Sequence, residues 1–320
     1  MYAMSKVAKL MAASSLLMGL SACGGGGSGS TGGTTGISLP TAPVTISSTN
    51  QSAVAGAAVD SASGGTSVPV AAQTSATGPS ADAVAQKVGQ IGRTVVQQIG
   101  STPALVTGAV TTYPCAISGT WSISTSATTG TATFNSCSNI TGESTNGTIS
   151  VSNAVSSASS TSFDSTYSLT ITIPGDVLTV TGDMHVAVLG CTTTCTSETL
   201  TGSSLKFTST INGTVALQNY KMGYFNGALT TLTFTFSSTQ INGTATFNMV
   251  TRFTGNVGSL FPSAGVATVT GANSTILKIT ALGDETAPAN SQAQLELSTD
   301  GGATYGAPTV VTWASISSRL

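Results

Sequence analysis

Strict alternation of apolar and polar residues is the feature that most constrains how this 320-residue chain can fold. From Tyr113 onward, aliphatic or aromatic residues occupy every second position in long runs, and threonine or serine occupies most of the positions between them. Clear examples are Leu169–Ile173, Leu178–Val188 and Leu232–Phe236. A period of two is typical of antiparallel strands that bury one face and expose the other. The sequence therefore predicts a mainly β protein.

Turn signals separate these runs. Three Asn-Gly pairs fit two-residue type I′ hairpin turns. A Pro-Gly pair fits a type II turn, because proline presets φ and glycine accepts a positive φ. The four pairs are Asn146-Gly147, Asn212-Gly213, Asn242-Gly243 and Pro174-Gly175. Two more hairpins are expected near the C-terminus, one turning at 271–274 and one at Asp300-Gly301.

Short sequence repeats suggest an internal duplication. The hexapeptide GTATFN occurs at Gly130–Asn135 and again at Gly243–Asn248, and the related segments GTISVSN and GTVALQN begin at Gly147 and Gly213. Segments that follow the middle pair correspond with an offset of roughly 60 to 66 residues, a spacing that favours duplication. We therefore expect a duplicated antiparallel meander over 113–256, in the form of a sandwich, an open roll or a half-barrel. Residues 257–320 form either a C-terminal hairpin lobe or a continuation of the same sheet.

One or two helices are expected before the strands. Residues 80–101 carry a single apolar stripe, with Ser80 as a capping residue and Gly100 near the end. We expect this amphipathic helix to cover one face of its own sheet. Residues 43–64 predict a short strand followed by a helix, and 65–79 predict a flexible linker. The stripe consists of Val84, Val88, Ile91, Val95 and Ile99.

The N-terminus resembles the signal of bacterial lipoproteins. Lys6 and Lys9 precede a short apolar run that ends at Leu20-Ser21-Ala22-Cys23. The resemblance implies that residues 1–22 are a signal peptide, that Cys23 is acylated after cleavage, and that Gly24 directs the protein to the outer membrane. The glycine-rich segment 23–42 would then be a flexible tether spanning roughly 25 Å. The protein would be lipid-anchored and would face the periplasm or the cell surface.

Charge and composition exclude several partners. Loss of the two signal lysines leaves 9 − 2 = 7 basic residues against 11 acidic ones. No basic stripe exists for phosphate contacts, so nucleic-acid binding is not expected. No segment approaches the roughly 20 apolar residues of a transmembrane helix. Attachment to a membrane would therefore depend on the lipid.

Four cysteines remain once Cys23 is acylated. An even number in an oxidising compartment predicts two disulfides, and we favour the nearest pairs, Cys115–Cys137 and Cys191–Cys195. The rival interpretation is a metal site at Cys191 and Cys195 with His185 nearby. Zinc sites usually need a second ligand pair, and the sequence offers none. We therefore expect neither a metal nor a cofactor.

No strong catalytic motif is present. His185 is the only histidine, and Asp183 lies two residues before it on the same face of one strand. This pair could imitate part of a hydrolase triad, although no nucleophile-elbow motif accompanies it. We expect no catalytic residues and a non-catalytic binding or scaffold role, with an envelope protein as one possible partner. The alternative is a carrier of apolar ligands in a curved β-sheet, and a hydrolase that uses His185 and Asp183 is less favoured.

Overall fold

The structure is a computed structural model that describes most of the chain after residue 38. The described segments are 39–62, 81–101, 110–126, 128–157, 159–190, 197–209, 213–226, 228–238, 240–254, 262–283 and 292–316. The signal peptide, Cys23, the linker 65–79 and the pair Cys191 and Cys195 lie outside the described residues.

Within the described residues, two helices precede a long series of strands and one short helix follows it. The helices are α1 (Gln51–Ala62), α2 (Ala81–Ser101) and α3 (Trp313–Ile316). The strands are β1 (Val110–Pro114), β2 (Ser118–Thr125), β3 (Gly130–Ser138), β4 (Ser144–Ser156), β5 (Ser160–Ile173), β6 (Asp176–Leu189), β7 (Ser197–Ser209), β8 (Gly213–Phe225), β9 (Ala228–Ser238), β10 (Gly243–Thr254), β11 (Ala264–Thr270), β12 (Ile276–Leu282), β13 (Gln292–Ser298) and β14 (Thr309–Thr312).

All fourteen strands form one sheet in which each strand pairs antiparallel with its neighbour in sequence. The strand order follows the chain from β1 to β14, so the sheet has two edges and is not closed. The predicted mainly β antiparallel meander is therefore confirmed, and it takes the form of an open sheet. Strands β11 to β14 continue this sheet.

Alternation places the apolar residues on one face of the sheet. In β6, Leu178, Val180, Met184, Val186 and Val188 are all buried, while most of the residues between them are partly or fully exposed. The two N-terminal helices cover this apolar face: α2 contacts β3, β4, β6 and β7, and α1 contacts β9 and β11 to β13. The opposite face carries the threonines and serines.

Helix α2 approaches the sheet most closely at Gly92, where there is no space for a side chain. A Cβ added to Gly92 would lie 2.6 Å from Cε2 of Phe163, whereas one added to Gly89 would lie 3.6 Å from Cδ2 of Leu200. Ion pairs also join the helix to the sheet. Lys87 Nζ lies 2.6 Å from a Glu143 carboxylate oxygen, and Arg93 pairs with Glu198 on β7. Both cationic side chains of the helix are therefore paired with acidic residues of the same protein.

The predicted turns have different outcomes. Pro174-Gly175 is a two-residue turn between the paired residues Ile173 and Asp176, and Gly175 has a φ of 84°, as a type II turn requires. Asn146-Gly147 is not a turn, because it lies inside β4. Asn242-Gly243 ends a longer connection, since Ser238 pairs with Gly243 and four residues separate them. Asn212 lies outside the described residues.

The C-terminal hairpins differ in the same way. A turn at 271–275 joins β11 to β12, as predicted. The segment after Asp300-Gly301, expected to return at once as a strand, is instead a loop up to β14 at Thr309. The Asp300 carboxylate accepts hydrogen bonds from Ser298 Oγ at 2.6 Å and from the Thr304 hydroxyl at 2.6 Å. These hydrogen bonds stabilise the loop, which takes the place of the expected tight turn.

Cys115 and Cys137 form a disulfide with a Cα–Cα distance of 5.4 Å. The bond links the connection between β1 and β2 to strand β3. This is the nearest-pair arrangement that the sequence favoured for these two cysteines. Among the described helices, none is long and apolar enough to cross a membrane.

Candidate functional site

The repeated segments mark bulges in the sheet. The seventh residue of each of three segments, counted from its glycine, has a positive φ: 47° at Ser136, 54° at Asn153 and 48° at Asn219. The pairing register shifts at each of these residues. In the fourth segment the register shifts directly after the seventh residue, Met249. Bulges bend a strand and redirect its side chains, so the repeat encodes where the sheet bends.

A groove of about 570 Å³ lies on the polar face between β4 and β8, beside two of these bulges. Most of its lining residues are polar in type, and they come from five consecutive strands. The lining residues are Ser150, Val151, Ser152, Asp164, Ser165, Thr166, Asp183, Met184, His185, Thr201, Gly202, Ser203, Asn219 and Tyr220. The volume lies within the roughly 300–1,000 Å³ range of small-ligand sites, although such sites usually have a more apolar lining.

Two tyrosines beneath the groove fix the backbone at Asp183. Tyr167 pairs across strands with Gly182, and Tyr220 pairs with Gly202, so each ring lies over a residue without a side chain. A Cβ on Gly202 would lie 2.6 Å from the Tyr220 ring. The Tyr220 hydroxyl donates to the Asp183 carbonyl oxygen at 2.7 Å, and the Tyr167 hydroxyl donates to the same oxygen at 3.4 Å. Burial raises the pKa of both tyrosines.

The carboxylate of Asp183 occupies the bulge on the neighbouring strand β7. The pairing of β6 with β7 shifts between Gly182 and His185. Backbone N–H groups of Ser203 and Ser204 donate to the carboxylate at 2.8 and 2.9 Å, and the Ser203 hydroxyl donates at 2.6 Å. Asp183 therefore satisfies the backbone groups that the bulge leaves without a strand partner.

His185 is bonded to Asp164 and not to Asp183. Its Nδ1 lies 2.6 Å from Asp164 Oδ1 across the β5–β6 pair. The other oxygen of Asp164 accepts a 2.7 Å hydrogen bond from the Asn153 amide. Asp183 and His185 do share the exposed face of β6, as the alternation predicted. The closer carboxylate nevertheless comes from the neighbouring strand, because residues directly opposite in a sheet are nearer than residues two apart along one strand.

The bonds to Asp164 favour its ionised form. Hydrogen bonds from Asn153 and then from His185 lower the pKa of this carboxyl group, and they outweigh the effect of its partial burial. About half of the His185 side chain and 43% of the Asp164 side chain remain exposed, so solvent and ligands can reach the pair. Among the residues that the structure describes, two carboxylates and no lysine or arginine line the groove.

The described residues contain no group of three or more metal-ligating side chains placed to hold an ion. Among the same residues, His185 Nε2 has no hydrogen-bond partner. The arrangement can therefore accept hydrogen bonds from a ligand at His185, and it can hold a bound water there.

Sequence reasoning identified His185 and Asp183 but missed Asn153, Asp164, Ser203 and the two tyrosines. A signal for them exists in the sequence, because Gly182 interrupts the alternation of β6 and Asn153 ends a repeated segment. Comparison of the chain with models of protein families, with curated proteins and with solved structures finds no match.

Proposed function

We propose that this chain is a lipid-anchored protein of the bacterial outer membrane that binds a small polar ligand without catalysis. The observation that carries the proposal is the groove between β4 and β8, with the Asp164–His185 pair on its lining. Side chains that are already bonded to one another need little ordering when a ligand arrives, which favours binding. The lipobox-like segment ending at Cys23 supports the anchor.

The alternative of an apolar carrier has less support. The apolar face of the sheet would have to enclose the ligand, and α1 and α2 pack on that face. At the contact of Gly92 with Phe163 there is no space for a ligand between α2 and β5. Native mass spectrometry that finds lipid bound within the purified protein, beyond the anchor itself, would favour the carrier.

A hydrolase remains a second candidate, now based on His185 with Asp164. A histidine whose Nδ1 donates to a carboxylate can take a proton from water through Nε2. However, no described serine hydroxyl lies within hydrogen-bond distance of His185. Turnover of an ester or glycoside that is lost in His185→Ala, with the thermal midpoint unchanged, would favour this candidate over binding alone.

Two experiments test the main proposal. Replacing Cys23 with serine should release the protein from the membrane fraction, and membrane retention of that variant would contradict lipid anchoring. A library of small polar ligands, screened by isothermal titration calorimetry, should yield a ligand that binds wild type and loses affinity in His185→Ala. Glu296→Gln on β13 serves as the control, because it alters a partly exposed side chain far from the groove. Equal binding by His185→Ala and wild type would exclude the groove.

A further inference from the structure

We infer that the groove selects ligands that donate a hydrogen bond to His185 Nε2, through a hydroxyl or an ammonium group, and that Asp164, which is held in place by Asn153, sets this preference. The inference rests on the proposed binding function and names the chemistry of the ligand.

The left-handed conformation of Asn153 directs its amide toward the neighbouring strand. With a φ of 54°, it occupies the bulge between Ser152 and Val155 of β4. Its Nδ2 then reaches Asp164 Oδ2 at 2.7 Å. Asparagine adopts this conformation more readily than most residues, so the seventh position of the repeat supplies both the bend and the donor.

The hydrogen bond to Asp164 determines which ring nitrogen of His185 carries a proton. An ionised carboxylate only accepts hydrogen bonds, and both oxygens of Asp164 are used, one by Asn153 and one by His185. His185 Nδ1 must therefore carry a proton. In the neutral ring the other nitrogen, Nε2, then carries the lone pair. The groove thus presents an acceptor at this point.

The charged groups elsewhere on the groove lining are acidic. The second carboxylate, Asp183, lies on the same lining, and no lysine or arginine from the described part of the chain contributes to it. The lysine nearest in register, Lys221, pairs with Thr201 and is not part of the lining. An anionic ligand would meet two carboxylates without a compensating cation, and this arrangement disfavours it. A neutral polyol or an ammonium ligand can instead donate hydrogen bonds to His185 Nε2 and to the carboxylates of the lining.

Nitrogen-15 NMR tests the tautomer directly, because His185 is the only histidine in the chain. In the neutral ring we expect Nδ1 to give a protonated-nitrogen shift and Nε2 an unprotonated one. Asp164→Asn replaces the carboxylate with an amide whose Nδ2 can donate to His185 Nδ1, so the tautomer with the proton on Nε2 should become populated. Glu296→Gln, the same kind of change far from the groove, is the matched control and should leave the tautomer unchanged.

Binding of three probes tests the ligand class. We expect maltotriose, as a hydroxyl donor, or spermidine, as an ammonium donor, to bind and to lose roughly tenfold in affinity in Asp164→Asn, the scale expected for a hydrogen bond in a charged network. Which of the two binds distinguishes the source of the donor. Citrate binding that is tighter than that of both other probes would overturn this inference. If His185→Ala then abolished citrate binding, the proposal that the groove binds a ligand would still hold. An unprotonated Nδ1 in the wild type would also overturn it. Failure of all three probes, together with failure of the wider ligand screen, would overturn both proposals.

Discussion

The contact between helix α2 and strand β5 gives a prediction with a built-in control. Gly89 and Gly92 lie one turn apart on the same helix, and alanine at either position should gain about 1 kcal/mol of helix propensity. At Gly89 the new methyl group meets Leu200 at 3.6 Å, which is ordinary van der Waals contact. We therefore expect Gly89→Ala to stabilise the protein by up to about 1 kcal/mol.

At Gly92 the same methyl group would lie 2.6 and 2.9 Å from two carbons of the Phe163 ring. Phe163 is fully buried, so its ring has little room to move. Overpacking of this kind costs about 1–3 kcal/mol. After subtraction of the propensity gain, Gly92→Ala should be destabilised by about 0–2 kcal/mol. The two variants should therefore differ by about 1–3 kcal/mol.

Urea denaturation followed by circular dichroism measures both variants, with the slope of the transition as a check that the unfolded state is unchanged. In a Phe163→Leu background the cost of Gly92→Ala should fall, because the smaller side chain leaves space for the methyl group. Equal stabilities of Gly89→Ala and Gly92→Ala, or no coupling to Phe163, would refute the packing of α2 against β5. The apolar face would then be open to a ligand.

Three further outcomes follow from the structure. Cys115→Ser should lower the free energy of unfolding by about 3 kcal/mol for a loop of this length, with a 22-residue separation; denaturant midpoints that are equal with and without the disulfide would contradict this. Asn153→Gly or His185→Ala should raise the Asp164 pKa toward its ordinary value in a carbon-13 NMR titration. Because the Asp164 pKa is lowered in the folded state, ionised Asp164 stabilises the fold above its ordinary pKa of about 3.9. This stabilisation is lost as the pH falls through the lowered pKa, and it stays under about 1 kcal/mol because the pair is so exposed. Tyr167 and Tyr220 should remain protonated in the folded protein at about pH 11, and Tyr220→Phe should leave the ultraviolet signal of alkaline titration unchanged until unfolding.

The sequence by itself determined the strands and which face of each strand is buried. In β6 and β9, side chains alternate with a strict period of two, and a shift by one residue would expose the whole apolar set. The turn at Pro174-Gly175 was equally local, because proline and glycine restrict φ without help from other residues. The apolar stripe of α2 likewise needed only a period of 3.6.

Tertiary structure decided what each strand lies beside. Asn146-Gly147 has the composition of a turn, yet pairing with β3 and β5 extends it as part of β4. The single open sheet, in preference to a sandwich, depends on β10 pairing with β11 rather than with a second layer. Local propensity carries no information about such long-range pairing.

The site shows the same division. Asp183 and His185 were visible because they lie on one strand, whereas Asp164 became the partner of His185 only when the β5–β6 register placed the two opposite each other. The bulges at Asn153 and Ser203 then directed an amide and two backbone N–H groups onto the carboxylates. A bulge shifts register by one residue, and that shift is set by the paired strands together. The polar groove is therefore a property of the assembled sheet.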